Sequence, residues 1–356
     1  MSLSTTTIAD WVYVGEGGAN IVFSYRGPRS PLFTGKVLRL RKRALSSEPS
    51  RSEDGQHLLH LETVPPKHLP REWLEALAKE VEASRPVERR VKDAIDLQNP
   101  RPVLATDLVG GNGIAVEIKV RPRHRQNGAF SHPRRISRLR REESRRRRAG
   151  SACIRTFAAY ETAYCPLDLY SGDEDRMRTA LEALWDGWER SGGEGNNFRV
   201  FLDGKRLAPG QTVDRNTTLS SLLSILQQTP LLRTLSHLQR TLDALDIEGL
   251  ATLVNLDDPG PEPTRAEWDA FIAAFVATSP GAFSDRTRYH TLAYLLSATF
   301  KDCSLIVRIS EGTATLIDLD VKSLTRLRKW EKMDREIVEA YMKVPVVERK
   351  HCVDGL

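Results

Sequence analysis

Residues 9–25 read ADWVYVGEGGANIVFSY, and the reading of this stretch decides the fold. Apolar, β-branched and aromatic side chains fill Ala9 to Val14 and again Ile21 to Tyr25, and Gly15-Glu-Gly-Gly-Ala-Asn20 divides them. The pattern predicts two short strands joined by a glycine-rich turn. Lys36-Val-Leu-Arg-Leu40 adds a third strand. Glycines let successive backbone N–H groups approach an anion and cradle it. A tight turn with no ligand would read the same way. No Gly-Lys-Ser/Thr follows, so the turn is not a P-loop. A strand rather than a helix comes next, which argues against a dinucleotide fingerprint.

Outward from this hairpin, Leu45 to Gly55 is polar and Ser-rich and reads as a loop. Glu72 to Val81 has helical spacing, with Trp73, Leu74, Leu77 and Val81 near one face. Val103 and Leu104 belong to a strand ending at Gly110-Gly111, and Ile114 to Ile118 forms the next. Beyond residue 150 helices dominate. Met177, Leu181, Leu184 and Trp188 line one face of Asp173 to Arg190. Leu231, Leu235, Leu238, Leu242 and Leu245 form an amphipathic stripe, read as a packing face. Ala266 to Thr278 and Thr287 to Phe300 are helical. Leu305 to Ile309 and Ala314 to Ile317 form a hairpin around Glu311-Gly312. A last helix runs from about Trp330 to Tyr341. A β-rich first part and a helix-rich second part predict an α+β fold in two lobes, residues 1–107 and 108–356.

Composition narrows the setting. The chain has 356 residues, 40% of them hydrophobic, enough for a substantial core. No run of about 18 apolar residues suggests a membrane span. The N-terminus, MSLSTTTIADW, does not read as a secretory signal. Cys153, Cys165, Cys303 and Cys352 form no C-x-x-C pair, so neither a disulfide framework nor a zinc site is expected. A reducing compartment, cytoplasm or nucleus, follows. Net charge is +6, and Arg134 to Arg148 holds nine arginines against two acids. That block suits a polyanion, a nuclear-import patch or a solvated basic loop.

Five segments carry chemistry. In Lys36 to Arg43, Arg39 and Arg41 share one strand face and Leu38 and Leu40 the other. Such a cation can neutralise nucleotide phosphates; a charged edge strand is the alternative. In Val116-Glu-Ile-Lys-Val-Arg121, Glu117, Lys119 and Arg121 alternate to one face, as an anion site or a solvated one. Asn196-Asn197-Phe-Arg199 offers two amides and a guanidinium for phosphates and hydroxyls, or a turn before a strand. Phosphoryl transfer needs one acid for Mg²⁺ and another for the acceptor proton. Asp302 in Lys301-Asp-Cys-Ser304 and Asp318, after apolar Leu316-Ile317, are candidates. Lys322, Arg326 and Trp330 follow Asp318 at four-residue steps. If helical, they would form a cationic wall; otherwise they are an outer charged face.

Taken together, EGGANIVF, KVLRLRK, VEIK, YCPLDLYSG, NNFRVFLDG, KDCS and IDLDVK resemble the inositol-pentakisphosphate 2-kinases, from Glu16 to about Tyr341. The resemblance implies a protein-kinase-like two-lobed fold, with a β-rich N-lobe and an enlarged, mostly helical C-lobe with inositide-binding insertions. It implies a phosphotransferase of phytate biosynthesis. The γ-phosphate of ATP, with Mg²⁺, would pass to the 2-hydroxyl of inositol 1,3,4,5,6-pentakisphosphate, giving the hexakisphosphate. By motif, Gly17, Gly18, Ala19 and Asn20 would cover the ATP phosphates and Arg39 would contact the nucleotide. Ala105 to Leu108 would be the hinge, with Asp107 near adenine. Glu117 would lie near the ribose or adenine, and Arg199 at the nucleotide. Lys119, Arg121, Asn196, Asn197, Lys322, Arg326 and Trp330 would hold the inositol phosphates. Asp302 would be the base and Asp318 the Mg²⁺ ligand. The family's Arg-Phe-x-Met-His-Gln helix is missing: Ser144 to Ala159 reads SRRRRAGSACIRTFAA, with Arg155 in place of a phosphate-binding lysine.

Electrostatics favours this over its rivals. Five phosphates carry roughly −7.5 to −10 charges, and burying them demands many cations. No H-R-D-x-x-x-x-N or D-F-G is present, against a protein kinase. A basic nucleic-acid-binding protein using Arg134 to Arg148 would leave Asp302 and Asp318 without purpose. A family member that binds inositol phosphates with weak turnover is the other alternative. The expectation is a monomer acting on a small molecule, with no obligate nucleic acid and no membrane.

Overall fold

The glycine-rich hairpin is present in the computed structural model, which describes residues 6–17, 20–45, 70–100, 102–120, 152–153, 164–195, 197–211, 213–278, 281, 283–343 and 350–351. Gly18, Ala19, Arg121, Asn196, Arg155, the arginine block and most of the polar loop after Leu45 lie outside the described residues. The fold is mixed α and β, with two main sheets. Contacts divide the chain into two compact units, Met1–Ala115 with Phe201–Arg206, and Val116–Val200 with Leu207–Leu356.

In the first unit, β1 (Trp11–Glu16), β2 (Asn20–Tyr25), β3 (Lys36–Ala44) and β4 (Asp93–Ile95) follow one another in an antiparallel sheet, and β5 (Val103–Thr106) also pairs with β3. The first strand starts later than its apolar run suggests, because Ile8–Asp10 close a 3-10 turn capped by Thr7. Alternation places Ile21, Phe23 and Tyr25 of β2 and Leu38 and Leu40 of β3 in one core. Helix α1 (Arg71–Val81) covers it with Leu74, Leu77 and Val81, spaced to share a face. Each such side chain stabilises by roughly 1.5–3 kcal/mol on leaving water. Trp73 stays partly buried, its Nε1 donating to the Thr6 carbonyl at 3.3 Å.

Parity puts Lys42 on the same face of β3 as Leu38 and Leu40, where an unpaired ammonium could not remain charged. It is compensated there. Its Nζ lies 2.7 Å from Glu16 Oε2 and 3.0 Å from Asp93 Oδ1. Arg85, just before α2 (Val87–Arg90), grips Glu16 through Nε and Nη2 at 3.0 and 2.9 Å and reaches Asp93 at 2.7 Å. The side chains of Lys42, Arg85 and Glu16 are at most 2% exposed. The residue ending β1, next to the glycine-rich turn, is therefore locked to β3 and β4.

The second main sheet has the order β11–β10–β6–β8–β9: β6 (Ile114–Ile118), β8 (Phe198–Leu202), β9 (Lys205–Arg206), β10 (Ser304–Arg308) and β11 (Thr313–Ile317). A two-residue β7 (Ala152–Cys153) pairs elsewhere, with β12 (Lys350–His351). Among the described residues, the helices of the second unit are α3 (Pro166–Leu169), α4 (Glu174–Arg190), α5 (Arg215–Gln228), α6 (Leu231–Leu242), α7 (Asp246–Ala251), α8 (Arg265–Val276), α9 (Arg286–Asp302) and α10 (Leu327–Lys343). Side chains of Asp173, Asp214, Thr264 and Asp285 accept from first-turn N–H groups and begin α4, α5, α8 and α9. Trp185 and Trp188 of α4 meet Phe198 of β8 edge-on. Helix α9 is the central one. Leu292 and Leu296 face a cluster with Leu242 and Phe271, and Leu295 faces another with Ile247, Leu250, Leu324 and Leu327.

The buried four-charge network generates a stability prediction. Burial alone would raise the Glu16 carboxyl, but hydrogen bonds from Arg85 and Lys42 hold it below its ordinary 4.5. A depressed folded-state value gives stability that is present above 4.5 and lost as pH falls through the folded value. Denaturant midpoints should therefore separate wild type from Glu16→Gln at neutral pH and converge in acid. Lys42→Met, which strands buried carboxylates, should cost about 3–5 kcal/mol in urea unfolding at neutral pH.

Candidate active site

The β10–β11 hairpin fixes where the two candidate acids stand. Gly312 turns it with φ 62°, a left-handed conformation that glycine adopts without strain. Ser304 is opposite Ile317, so Cys303 and Asp318 occupy the next step past the ladder. Asp302 is the last residue of α9, immediately before Cys303. Two residues sixteen positions apart on either side of a hairpin are thereby brought to one end of it.

Electrostatics registers the same convergence. Cys303 is fully buried, and its thiol donates to the Phe300 carbonyl at 3.1 Å. Burial, then the negative charges of Asp318 and Asp302, push that thiol up to about 12, with Lys322 pulling it down. Asp302, Asp318 and Lys322 thus all act on one point. Lys322 Nζ donates to Asp302 Oδ2 at 2.8 Å. Asp302 remains half exposed and Asp318 exposed. Asp318 has φ 60°, a sparsely populated region for a residue with a Cβ, in which aspartate is among the better tolerated.

The stretch after Asp318 is not one helix. Residues 318–323 are without regular structure, Leu324–Arg326 make a 3-10 turn, and α10 begins only at Leu327. Local capping explains this. Glu262 accepts from the Ser323 hydroxyl and, at 3.0 Å, from Leu324 N–H, while Ser323 accepts from Thr325 N–H. Thr299 of α9 ties down the Asp320 carbonyl at 3.3 Å. Arg326 is exposed with no carboxylate partner among the described residues. Trp330 is half buried, its ring 5.9 Å from that of Tyr294.

Strands β6 and β8 carry the other candidates of the second unit. Val116, Ile118 and Val120 are fully buried, so Glu117 and Lys119 share the opposite face. Glu117 is paired with Arg199 at 3.0 Å. Lys119 N–H donates to the Asn197 carbonyl at 3.0 Å, which joins the two short motifs through their backbones.

In the first unit, Gly17 N–H donates to the Asn20 carbonyl at 2.9 Å and closes the glycine-rich turn. Arg39 lies opposite Val22 and Val103, and neither Arg39 nor Arg41 has a carboxylate partner among the described residues. Asp107 is differently employed. Its carboxylate accepts from the Ser24 hydroxyl and from Val109 and Gly110 N–H at 3.2 and 2.7 Å, with Arg26 3.9 Å away. A methyl group at Gly110 would collide with that carboxylate. In this structure Asp107 holds the loop after β5.

Sequence reasoning missed several residues beside the acids. Lys301, adjacent to Asp302, is buried and ion-paired with Asp243 at 2.5 Å, its ammonium 6.0 Å from the Tyr294 ring. A charged residue next to a candidate base was the available signal; its direction on α9 was not. Nothing local marked Asp243, Glu262 or Gln239.

A family model described as inositol-pentakisphosphate 2-kinase matches residues 13–336. A protein of Cryptococcus neoformans named inositol-pentakisphosphate 2-kinase is 31% identical, over 95% of this chain and 94% of its own length. Proteins of the same name from Arabidopsis thaliana and Oryza sativa are 25% and 26% identical, covering 96% and 94% of this chain and 95% and 94% of theirs. A match through the glycine-rich turn, both candidate acids and the intervening helices means that the chain belongs to the inositol-pentakisphosphate 2-kinase family.

Proposed function

We propose that this protein transfers the γ-phosphoryl group of ATP to the 2-hydroxyl of inositol 1,3,4,5,6-pentakisphosphate, giving the hexakisphosphate. The observation that carries the reading is the meeting of Asp302, Asp318 and Lys322 around Cys303 in a chain of this family. A base and a metal-binding acid at one place, beside a cation, are what phosphoryl transfer requires.

In this reading the fold is protein-kinase-like. The first unit handles the nucleotide, with the Gly17–Asn20 turn and Arg39 directed to phosphates and the segment Ala105 to Leu108 to the adenine. Glu117 and Arg199, already paired, orient one another toward the nucleotide. Lys119, Arg121, Arg155, Asn196, Asn197, Lys322 and Arg326 answer the acceptor's phosphates, and Trp330 backs them. Arg326, exposed and without a carboxylate partner among the described residues, suits this role, since its charge is not already neutralised.

Asp302 accepts the proton of the attacking hydroxyl. The new O–P bond forms at the γ-phosphorus as the bond to the β-phosphate oxygen breaks, and ADP leaves. Lys322 fixes the orientation of Asp302 and offsets charge on the transferring group. Asp318 would hold Mg²⁺, which when bound neutralises the phosphate oxygens. Among the described residues no cluster of three or more His, Cys, Asp or Glu forms a metal cage. A site of one or two carboxylates completed by substrate phosphates and water fits the usual demands of Mg²⁺. We place the enzyme in the nucleus or cytoplasm, acting as a monomer on a small molecule.

The test is incubation with ATP, Mg²⁺ and the pentakisphosphate, with product isomers resolved by chromatography. Absence of hexakisphosphate at high enzyme concentration overturns the reading. Asp302→Asn should lower kcat by about 10²–10⁴-fold while leaving ATP affinity unchanged by calorimetry. Asp318→Asn keeps the backbone preference and removes charge, so it should abolish turnover and raise the Mg²⁺ requirement for nucleotide binding. Because Lys322 serves both acceptor and base, Lys322→Ala should raise KM for the pentakisphosphate and lower kcat together; a change confined to KM for ATP would misplace it.

A further inference from the structure

The segment Tyr164 to Gly172, YCPLDLYSG, has no chemistry legible in its residue types, yet Tyr170 sits at a junction. It follows α3 and is 5% exposed. Its hydroxyl donates to the Val120 carbonyl at 3.3 Å. It also accepts from Gln239 Nε2 of α6 at 3.2 Å. The same Gln239 amide donates to the Phe300 carbonyl at 2.9 Å. A continuous buried chain therefore runs from the residue after Lys119 to the residue two before Asp302.

We infer that Tyr170 and Gln239 are positioning residues that hold the acceptor-binding segment just after β6 in register with the carboxyl end of α9, and so Lys119 in register with Asp302. This rests on the function proposed above and extends it to residues that touch neither substrate nor nucleotide.

The chemistry of the pair suits the task. A tyrosine hydroxyl both gives and accepts one hydrogen bond here, and an amide NH₂ has two hydrogens, each used. No charge is involved, so the link does not change with protonation of the phosphates. Burial holds the Tyr170 phenol well above its ordinary value, so it stays protonated at working pH. The Phe300 carbonyl belongs to the last turn of α9, where helix geometry leaves acceptors unsatisfied; Gln239 and the Cys303 thiol meet it. Reacting groups must be held within fractions of an ångström, and a shift of about 1 Å can cost about 10²-fold in rate.

Tyr170→Phe removes the hydroxyl and keeps the ring, so the variant should fold. Gln239→Met keeps volume and removes both donors. Each should lower kcat by about 5- to 50-fold, a part of the loss quoted for misplacement, and raise KM for the pentakisphosphate, with KM for ATP unchanged. The double variant should be no worse than the poorer single one, since either change severs the same chain. Thermal unfolding run in parallel separates positioning from simple loss of folded protein. Unchanged kcat and acceptor KM in Tyr170→Phe, or losses that merely track the unfolded fraction and shift both KM values alike, would overturn the inference. The wild-type assay distinguishes the two failures. An inactive wild type removes the enzyme reading and this inference with it; an active wild type with an unaffected Tyr170→Phe removes the inference alone.

Discussion

Lys301 must find an anion inside the protein, and the way it does so organises the second unit. Its ammonium is buried against Asp243, where taking away either partner would leave an uncompensated charge at a cost of about 3–5 kcal/mol. Burial raises the Asp243 carboxyl, and the nearby Lys301 opposes that shift. The pair therefore fixes both the depth and the rotation of the last turn of α9. One residue further round that turn, Asp302 is held at the surface. Cys303 then enters the core, β10 begins, and the hairpin returns the chain to Asp318.

Charges in this protein fall into two kinds of employment. Lys42, Glu16, Arg85 and Asp93 in the first unit, and Lys301 with Asp243 in the second, are buried and mutually satisfied. They hold backbone next to the candidate functional segments, the glycine-rich turn in one case and the end of α9 in the other. Arg39, Arg41 and Arg326 are partly or fully exposed without carboxylate partners among the described residues. A cation already matched to an acid has less to offer a phosphate; one that is not can give its full charge. Lys322 stands between these classes, bound to Asp302, the base in the proposed transfer.

What could be read in the sequence was whatever depends on near neighbours. The β10–β11 hairpin was legible because β-branched strands flank Glu311-Gly312, and α1 and α4 because their apolar residues recur at helical spacing. The face carrying Arg39 followed from simple alternation. Alternation also places Lys42 in the core, but nothing local could announce that Arg85, 43 positions later in the chain, would join it there. The four-residue spacing of Lys322, Arg326 and Trp330 suggested a helix from Asp318. Glu262, over 60 residues away, caps the backbone at Leu324 instead, so the helix starts late. The hydroxyl of Tyr170 was likewise unreadable, because both of its partners lie at least 50 positions distant.

The backbone at Asp318 has a consequence for how this position can vary over time. Its φ of 60° excludes β-branched and bulky residues and favours glycine, asparagine and aspartate. Glycine and asparagine suit the backbone but bring no negative charge. Glutamate brings the charge but has a longer side chain and lacks aspartate's preference for that backbone region. Two independent filters, one conformational and one chemical, overlap at aspartate. Under the proposed Mg²⁺ role, a lineage that lost it could not regain that role by a conservative exchange without rebuilding the end of β11 as well.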